Sequence, residues 1–372
     1  MKKLAVRFLS LLLCLSALFL ILPGCSKVDD TPLLTLGELE YTAGMFRYQL
    51  ALTKTQYLSE YYKENLPSAT ELTDIPTFWD TQYDKDQTMR EYIHSYTLDS
   101  ARATLYYANL AAKQGLTLNE EELKEIEQDL QDLVELKGSI SALNDYLSAV
   151  GMDYDELRTL YEMQDLSTKM QNQMYHMTMG GSRVTEDEMW QYYLKNYAIV
   201  KHVYINNRTK KAETGKLIPL DEQEKAEKQL LIDQVIDGLK AGKNIEDFAE
   251  LSEDNFFKDK PDGLVIYEKA TGFDAYEEAA LKVKVGGYTV LEVKEGDYAG
   301  TYIICRYKNT KEHFESPLST QGEDGESYTY KQVAFVTLTQ EKIADTVKQS
   351  TSIKVDEESV KNYTVDNSPL LV

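Results

Sequence analysis

Ala198-Ile199-Val200-Lys201-His202-Val203-Tyr204-Ile205 is the stretch at which this 372-residue chain changes character. Its β-branched and aromatic residues alternate in the manner of a strand. The residues before it are punctuated as helix, and those after it mix strands with short helices. His202 sits centrally in this strand. His94 and His176 instead lie in helical stretches with polar neighbours and read as surface or satisfied residues. The sequence has four histidines in all, each far from the others, so a zinc site would need distant residues to converge. No HExxH or CxxC pattern occurs, nor a glycine-rich phosphate loop or a GxSxG elbow. We expect no metal and no cofactor.

Upstream of the strand, helix signals recur. Ile93, Tyr96, Ala101, Leu105, Ala108 and Ala112 form a stripe that stops at Gly115, a residue suited to the left-handed turn after a helix. Asn119 with Glu122 is a capping-box pair opening a helix to about Lys137, ended by Gly138. Another helix covers Ser141 to Val150, Asp153 with Glu156 opens a longer one, and Thr185 with Glu188 caps the next, to about Asn196. Gly180-Gly181-Ser182 is a hinge candidate. Leu33 to Leu36 has strand character, Glu38 to Tyr41 a turn-like link, and Phe46, Leu50 and Tyr57 begin a stripe. Residues 65–86, with Pro67, Pro76 and an exposed-looking Phe78-Trp79, read as a loop or short lid. Residues 33–197 are therefore expected to form a helical domain.

Downstream, 206–217 reads as a polar loop, Asp221 to Ala241 as a helix, and Asn244 as the cap of a short helix. A strand is expected at Leu264 to Tyr267, a helix at Ala275 to Leu281, and strands at Tyr288 to Val293 and Thr301 to Tyr307. Residues 198–308 thus make a small α/β unit. Residues 309–372 return to helix at Tyr328 to Gln349, followed by a short β run at Ile353 to Val355, with 321–327 as a linker. The fold class is α+β.

The N-terminus carries an address. Lys2, Lys3 and Arg7 precede an almost uninterrupted apolar run from Phe8 to Leu22, and Leu22-Pro23-Gly24-Cys25 follows. This resembles the lipobox of bacterial lipoproteins, which implies a signal peptide over 1–24, lipidation of Cys25 and a tether over 25–32. An apolar run of about 15 residues falls short of the roughly 20 needed to span a bilayer. The acidic balance, 62 Asp and Glu against 40 Lys and Arg, argues against a nucleic-acid surface, since phosphate binding rests on clustered cations. Three cysteines, of which Cys305 alone lies in the body of the chain, make no disulfide framework; Cys305 reads as a buried, inert thiol on the last strand expected in 198–308, next to the pocket that the family resemblance described below implies.

The order of elements after residue 198 carries a further resemblance. The strand around His202 comes first, then Asp247-Phe248-Ala249-Glu250-Leu251-Ser252 and Asp262-Gly263-Leu264. Phe273 to Leu281, Gly286-Gly287 and Gly300-Thr301-Tyr302-Ile303-Ile304 complete the series. Together they resemble the parvulin type of peptidyl-prolyl isomerase. That family shows an Ala-x-His-Ile-Leu strand, a Phe-Ala-x-Leu-Ala helix, a Gly-Gly-Asp-Leu-Gly turn, a Phe-x-x-Ala-Phe helix, a Gly-Glu-Val turn and a Gly-Tyr-His-Ile-Ile strand. The flanks are similar to PrsA-like and SurA-like foldases. Leu33 to Leu50 resembles their opening strand-turn-helix, 111–121 their Ala-Lys-x-Gly-Ile-x-Val-Thr-Asp-Glu-Glu passage, and 185–196 the helix leading into their isomerase domain.

The resemblance implies a membrane-anchored extracytoplasmic foldase, a helical chaperone domain built from both chain ends with the isomerase domain inserted. Its partners would be unfolded or newly exported polypeptides. Residue by residue, His202 matches the family's first histidine and Leu264 the pocket leucine, with Phe273 and Tyr276 near the other apolar pocket positions. Tyr302 stands where the closing histidine belongs. Asn255, with Asp254 beside it, falls at the central acid or thiol. Two polar positions thus depart from the pattern, leaving open a weakened isomerase or a holdase without isomerase activity. A solute-binding or envelope-scaffolding lipoprotein is a further alternative, for which repeated βα units in two lobes are missing. The chain's 27 tyrosines could supply an amphipathic surface for unfolded segments.

Overall fold

The computed structural model describes residues 28–177, 182–211, 217–296, 298–318 and 328–372. The expected leader, Cys25, the Gly180-Gly181 hinge and the 321–327 linker lie outside the described residues. In chain order, strands β1 (Pro32–Leu36) and β2 (Leu39–Thr42) lead into helices α1 (Ala43–Asn65), α2 (Pro76–Trp79), α3 (Met89–Lys113), α4 (Glu120–Lys137), α5 (Ile140–Leu147) and α6 (Tyr154–Met174). Next come α7 (Glu186–Asn196), β3 (Ala198–Ile205), β4 (Thr209–Lys211), β5 (Leu217–Pro219), α8 (Glu222–Lys240), α9 (Phe256–Asp259) and β6 (Leu264–Ile266). The chain closes with α10 (Asp274–Lys282), β7 (Tyr288–Val293), β8 (Gly300–Tyr307), α11 (Lys311–Glu315), α12 (Tyr330–Gln349), β9 (Lys354–Val355) and α13 (Glu357–Val360). The architecture is α+β, with two compact units: residues 1–183 with 339–372, and residues 184–338.

In the first unit the helix starts follow their side-chain chemistry. Asn119 accepts from the amides of Glu121 and Glu122 while the Glu122 carboxylate accepts from the Asn119 amide, and Gly138 ends that helix at φ 94°. The core gathers Phe46, Leu50 and Leu58 of α1, Ile93, Leu105 and Ala108 of α3, Leu157 and Leu160 of α6, and Val360, Val365 and Leu371 near the C-terminus. Both chain ends therefore share one core. The C-terminal β9 pairs antiparallel with β1, Leu34 opposite Val355, and β1 pairs with β2, so the expected link at Glu38 to Tyr41 is largely strand.

Phe78 and Trp79, read from sequence as exposed, are buried. A fully buried cation explains this. Lys54 Nζ donates to Asp74 Oδ2 at 2.6 Å and to the Ser368 carbonyl at 2.9 Å, and Trp79 Nε1 donates to Asp74 Oδ1 at 2.6 Å. The 65–86 segment thus folds in over Lys54 as its counter-ion, with its indole beside the ammonium.

In the second unit, a four-stranded antiparallel sheet has the order β6-β3-β8-β7. Alternation along β3 and β8 sends side chains to two cores. Val203, Ile205 and Ile303 pack with Ile232 and Val235 of α8 and with Phe248 of the 3₁₀ turn Ile245–Leu251. Ala198, Val200, Tyr302 and Ile304 pack on the other face with Ile266, Tyr276 and Ala280. Residues 206–217 are not simply a loop, because β4 and β5 pair antiparallel. Trp190 and Tyr193 of α7 pack against Phe314 of α11, and Tyr193 and Tyr197 against Tyr330 of α12. This aromatic packing groups 184–197 and 309–338 with the 198–308 segment.

Candidate functional site

The register of β3 against β8 places His202 opposite Ile304 and Tyr204 opposite Tyr302. His202 belongs to the face covered by α10 and is 7% exposed. The segment after the 3₁₀ turn is laced to β3. The Glu253 amide donates to the Tyr204 carbonyl at 2.8 Å, and the Tyr204 amide donates to Ser252 Oγ at 3.0 Å. That lacing brings Asp254 level with His202, two residues back along the strand. His202 Nε2 lies 2.8 Å from Asp254 Oδ2, and Nδ1 lies 2.7 Å from the Tyr276 hydroxyl.

Asp254 Oδ1 also accepts from Ser252 Oγ at 2.8 Å and from the Phe256 amide at 3.2 Å. Burial opposes its charge, yet the hydrogen bonds from His202, Ser252 and Phe256 prevail and hold the carboxyl below the usual range. Burial pushes the Tyr276 hydroxyl far up, so it keeps its proton. With Asp254 ionised, the Nε2 proton faces the carboxylate; in the neutral ring, Nδ1 accepts from Tyr276. Both imidazole nitrogens are engaged within the protein. The imidazole is thereby held between Asp254 and Tyr276.

Rings cover the relay. Phe256 lies 4.0 Å from the imidazole by centroid, and Tyr276 and Tyr302 meet it edge-on at 5.3 and 5.4 Å. Tyr302 and Tyr204, opposite each other on neighbouring strands, lie 4.7 Å apart. Phe273 stacks at 5.9 Å on Tyr276 and at 4.9 Å on Tyr298, and meets the edge of Tyr302 at 5.7 Å. Leu264, opposite Val200 on β6, packs on the same cluster. The Tyr302 hydroxyl, its titration displaced upward by burial, donates to the Tyr298 carbonyl at 3.2 Å.

Two devices hold these rings in place. Arg306 Nη1 donates to the Leu281 and Val283 carbonyls at 2.8 and 3.0 Å, satisfying the end of α10 and fixing the helix that carries Tyr276. Buried Glu277 accepts from the amides of Lys269 and Thr271 at 2.6 and 2.5 Å and from the Thr271 hydroxyl at 2.8 Å. It thereby shapes the turn that delivers Phe273, in which Lys269 takes a φ of 62°.

His202, Leu264, Phe273, Tyr276 and Tyr302, selected from sequence, are thus brought together. Asn255 is not. It lies exposed ahead of α9 without a side-chain capping bond, and Asp254 takes the polar position. The reason is the lacing of Ser252 and Glu253 to Tyr204, which sets the register of the loop one residue earlier. Cys305 points to the opposite core, among Val203 and Phe248, and burial pushes its thiol up to about 12. It is not beside the pocket. Sequence reasoning missed Tyr204, Phe256, Glu277 and Tyr298. For Tyr204 a signal existed, two residues after His202 on the same face of an alternating strand. An open groove of about 400 Å³, lined by residues including Ala279, Val283, Gly287 and Tyr288, contains none of the His202 cluster. Among the described residues, no group of three or more His, Cys, Asp or Glu could hold a metal ion, and no helix is long and apolar enough to cross a membrane.

No family model matches the sequence, and no curated protein matches it. Among solved structures, the chain is similar to the foldase protein PrsA from Streptococcus pneumoniae. The match has 15% sequence identity and a TM-score of 0.23, covering 76% of this chain and 97% of that one.

Proposed function

We propose that the chain is a lipid-anchored extracytoplasmic foldase that assists newly exported, incompletely folded polypeptides, and that its second unit acts on X-Pro bonds as a peptidyl-prolyl isomerase. The observation that carries this reading is the convergence of Tyr204, Phe273, Tyr276 and Tyr302 on one another over the Asp254–His202–Tyr276 relay. An enclosure of aromatic faces suits the pyrrolidine ring, which is apolar and offers no N–H. The barrier to rotation is roughly 18–20 kcal/mol and arises from amide resonance. Twisting the bond removes that resonance and reduces the charge on the carbonyl oxygen. Withdrawing water therefore costs the planar amide more than the twisted one, which is the direction catalysis requires. The relay's part is to hold Tyr276 rigid beneath the ring.

Supporting the anchor are the positive leader, the apolar run and the Cys25 site in the sequence. The internal use of the relay's polar atoms favours a second reading. Both His202 nitrogens and the Tyr302 hydroxyl are used internally, so the same rings would serve a holdase that shelters apolar client segments without isomerising them. Proline-limited refolding of a model protein separates the two. A faster slow phase at substoichiometric protein supports the isomerase. A higher yield at unchanged rate supports the holdase, and no effect on either refutes both.

A further inference from the structure

We infer that Tyr298 is a further binding-site residue of the aromatic pocket, one whose ring occupies the Phe273 face in competition with the incoming proline ring. The inference rests on the reading of Phe273 as part of an X-Pro site. Phe273 has parallel rings at 4.9 Å and 16° from Tyr298 and at 5.9 Å and 23° from Tyr276, and the edge of Tyr302 at 5.7 Å. Tyr276 is buried and tied to His202, and Tyr302 is buried in the sheet. Neither can leave without breaking the relay or the core. Tyr298 differs, being 56% exposed while still stacked.

Its backbone and its ring are held differently. The Tyr302 hydroxyl donates to the Tyr298 carbonyl at 3.2 Å, and the Tyr204 hydroxyl donates to the Ala299 carbonyl at 2.8 Å. Two rings of the pocket thus pin the main chain just ahead of β8. The Tyr298 ring is layered on Phe273, in the arrangement a bound pyrrolidine would take. A ring that is half in solvent can turn about its χ1 bond while the pinned backbone stays in place. Binding of proline is then an exchange of one ring for another on the Phe273 face. The stacking energy of an aromatic pair enters the apparent affinity as a cost, in the way any unbound-state competitor does.

This sets the sign of the test. Removing the ring should tighten binding of a short X-Pro peptide, whereas an ordinary wall residue would weaken it when removed. The experiment titrates an unlabelled Ala-Pro-containing tetrapeptide into the isotope-labelled protein, in wild type, Tyr298→Ala, Tyr298→Phe and Phe273→Ala, following amide shifts of residues 198–205. The expected result is binding about threefold to tenfold tighter in Tyr298→Ala, the range a stacked pair corresponds to. Tyr298→Phe, which keeps the ring, should match wild type, and Phe273→Ala should not bind. Equal or weaker binding by Tyr298→Ala, with Phe273→Ala still null, overturns the competition while leaving the proline site standing. No binding by any form, or undiminished binding by Phe273→Ala, overturns the reading of the pocket and this inference with it.

Discussion

Replacing Asp254 by Ala removes the acceptor for three hydrogen bonds, from His202 Nε2 at 2.8 Å, Ser252 Oγ at 2.8 Å and the Phe256 amide at 3.2 Å. Bonds to a charged group contribute about 1.5–3 kcal/mol each, but the three share one carboxylate and do not add. The side chain is also 31% exposed, so water recovers part of the loss. The expected destabilisation is about 2–4 kcal/mol. Asn255→Ala, at an exposed position outside the relay, should change stability by no more than about 0.5 kcal/mol. Hydrogen exchange of the 198–205 segment reads the second unit directly, and Asp254→Ala should speed its exchange by about thirtyfold or more. The pH dependence has a defined sign. Asp254 titrates below the ordinary carboxylate range in the folded protein. Its contribution is therefore present above the unfolded-state value and lost as the pH falls through the folded one. The gap between wild type and Asp254→Ala should close in acid. A larger effect from Asn255→Ala than from Asp254→Ala would refute the placement of the relay.

Lys54→Ala leaves the Asp74 carboxylate and the Ser368 carbonyl without their shared cation and should destabilise the first unit by about 3 kcal/mol. Urea unfolding checks it, and a change under about 1 kcal/mol would show that the pair is not what holds Trp79 inside. Gly300→Ala would set a Cβ 2.5 Å from Tyr204 Cε2 at a φ of 153°. It should cost about 1–3 kcal/mol in thermal unfolding and weaken the near-ultraviolet signal of the Tyr204–Tyr302 pair, and an unchanged signal would count against that packing. Cys25→Ser should abolish incorporation of labelled fatty acid and release the protein from membranes; unchanged labelling would remove the anchor from the proposal.

Much of the local structure was legible because it is written in short-range chemistry. The capping pairs at Asn119 and Glu122 and at Thr185 and Glu188 form as the sequence indicates, since both partners lie within one turn. His202, Leu264, Phe273, Tyr276 and Tyr302 could be selected because the order of motifs after residue 198 resembles the parvulin pattern, and that resemblance implies those positions. The misses depend on contacts distant in sequence. Trp79 is buried through Lys54 and Asp74, and neither residue signals a buried ion pair locally. Asp254 rather than Asn255 meets His202 because Glu253 bonds to Tyr204, a register set across 49 positions that a short loop pattern does not encode. Tyr298 acts through a ring contact with Phe273 that arises only when the segments leading into α10 and β8 assemble, whereas Glu277 binds amides of the turn just ahead of its own helix, a loop geometry that no residue pattern marks.

The most direct test of the central claim is cis/trans exchange of an X-Pro peptide measured by NMR, with catalytic amounts of wild type, Phe273→Ala and His202→Ala. The account predicts accelerated exchange by wild type and loss of acceleration in Phe273→Ala. For His202→Ala it predicts a moderate reduction, since that side chain orients Tyr276 and does not touch the amide. No acceleration by folded wild-type protein, or full acceleration by Phe273→Ala, would contradict it.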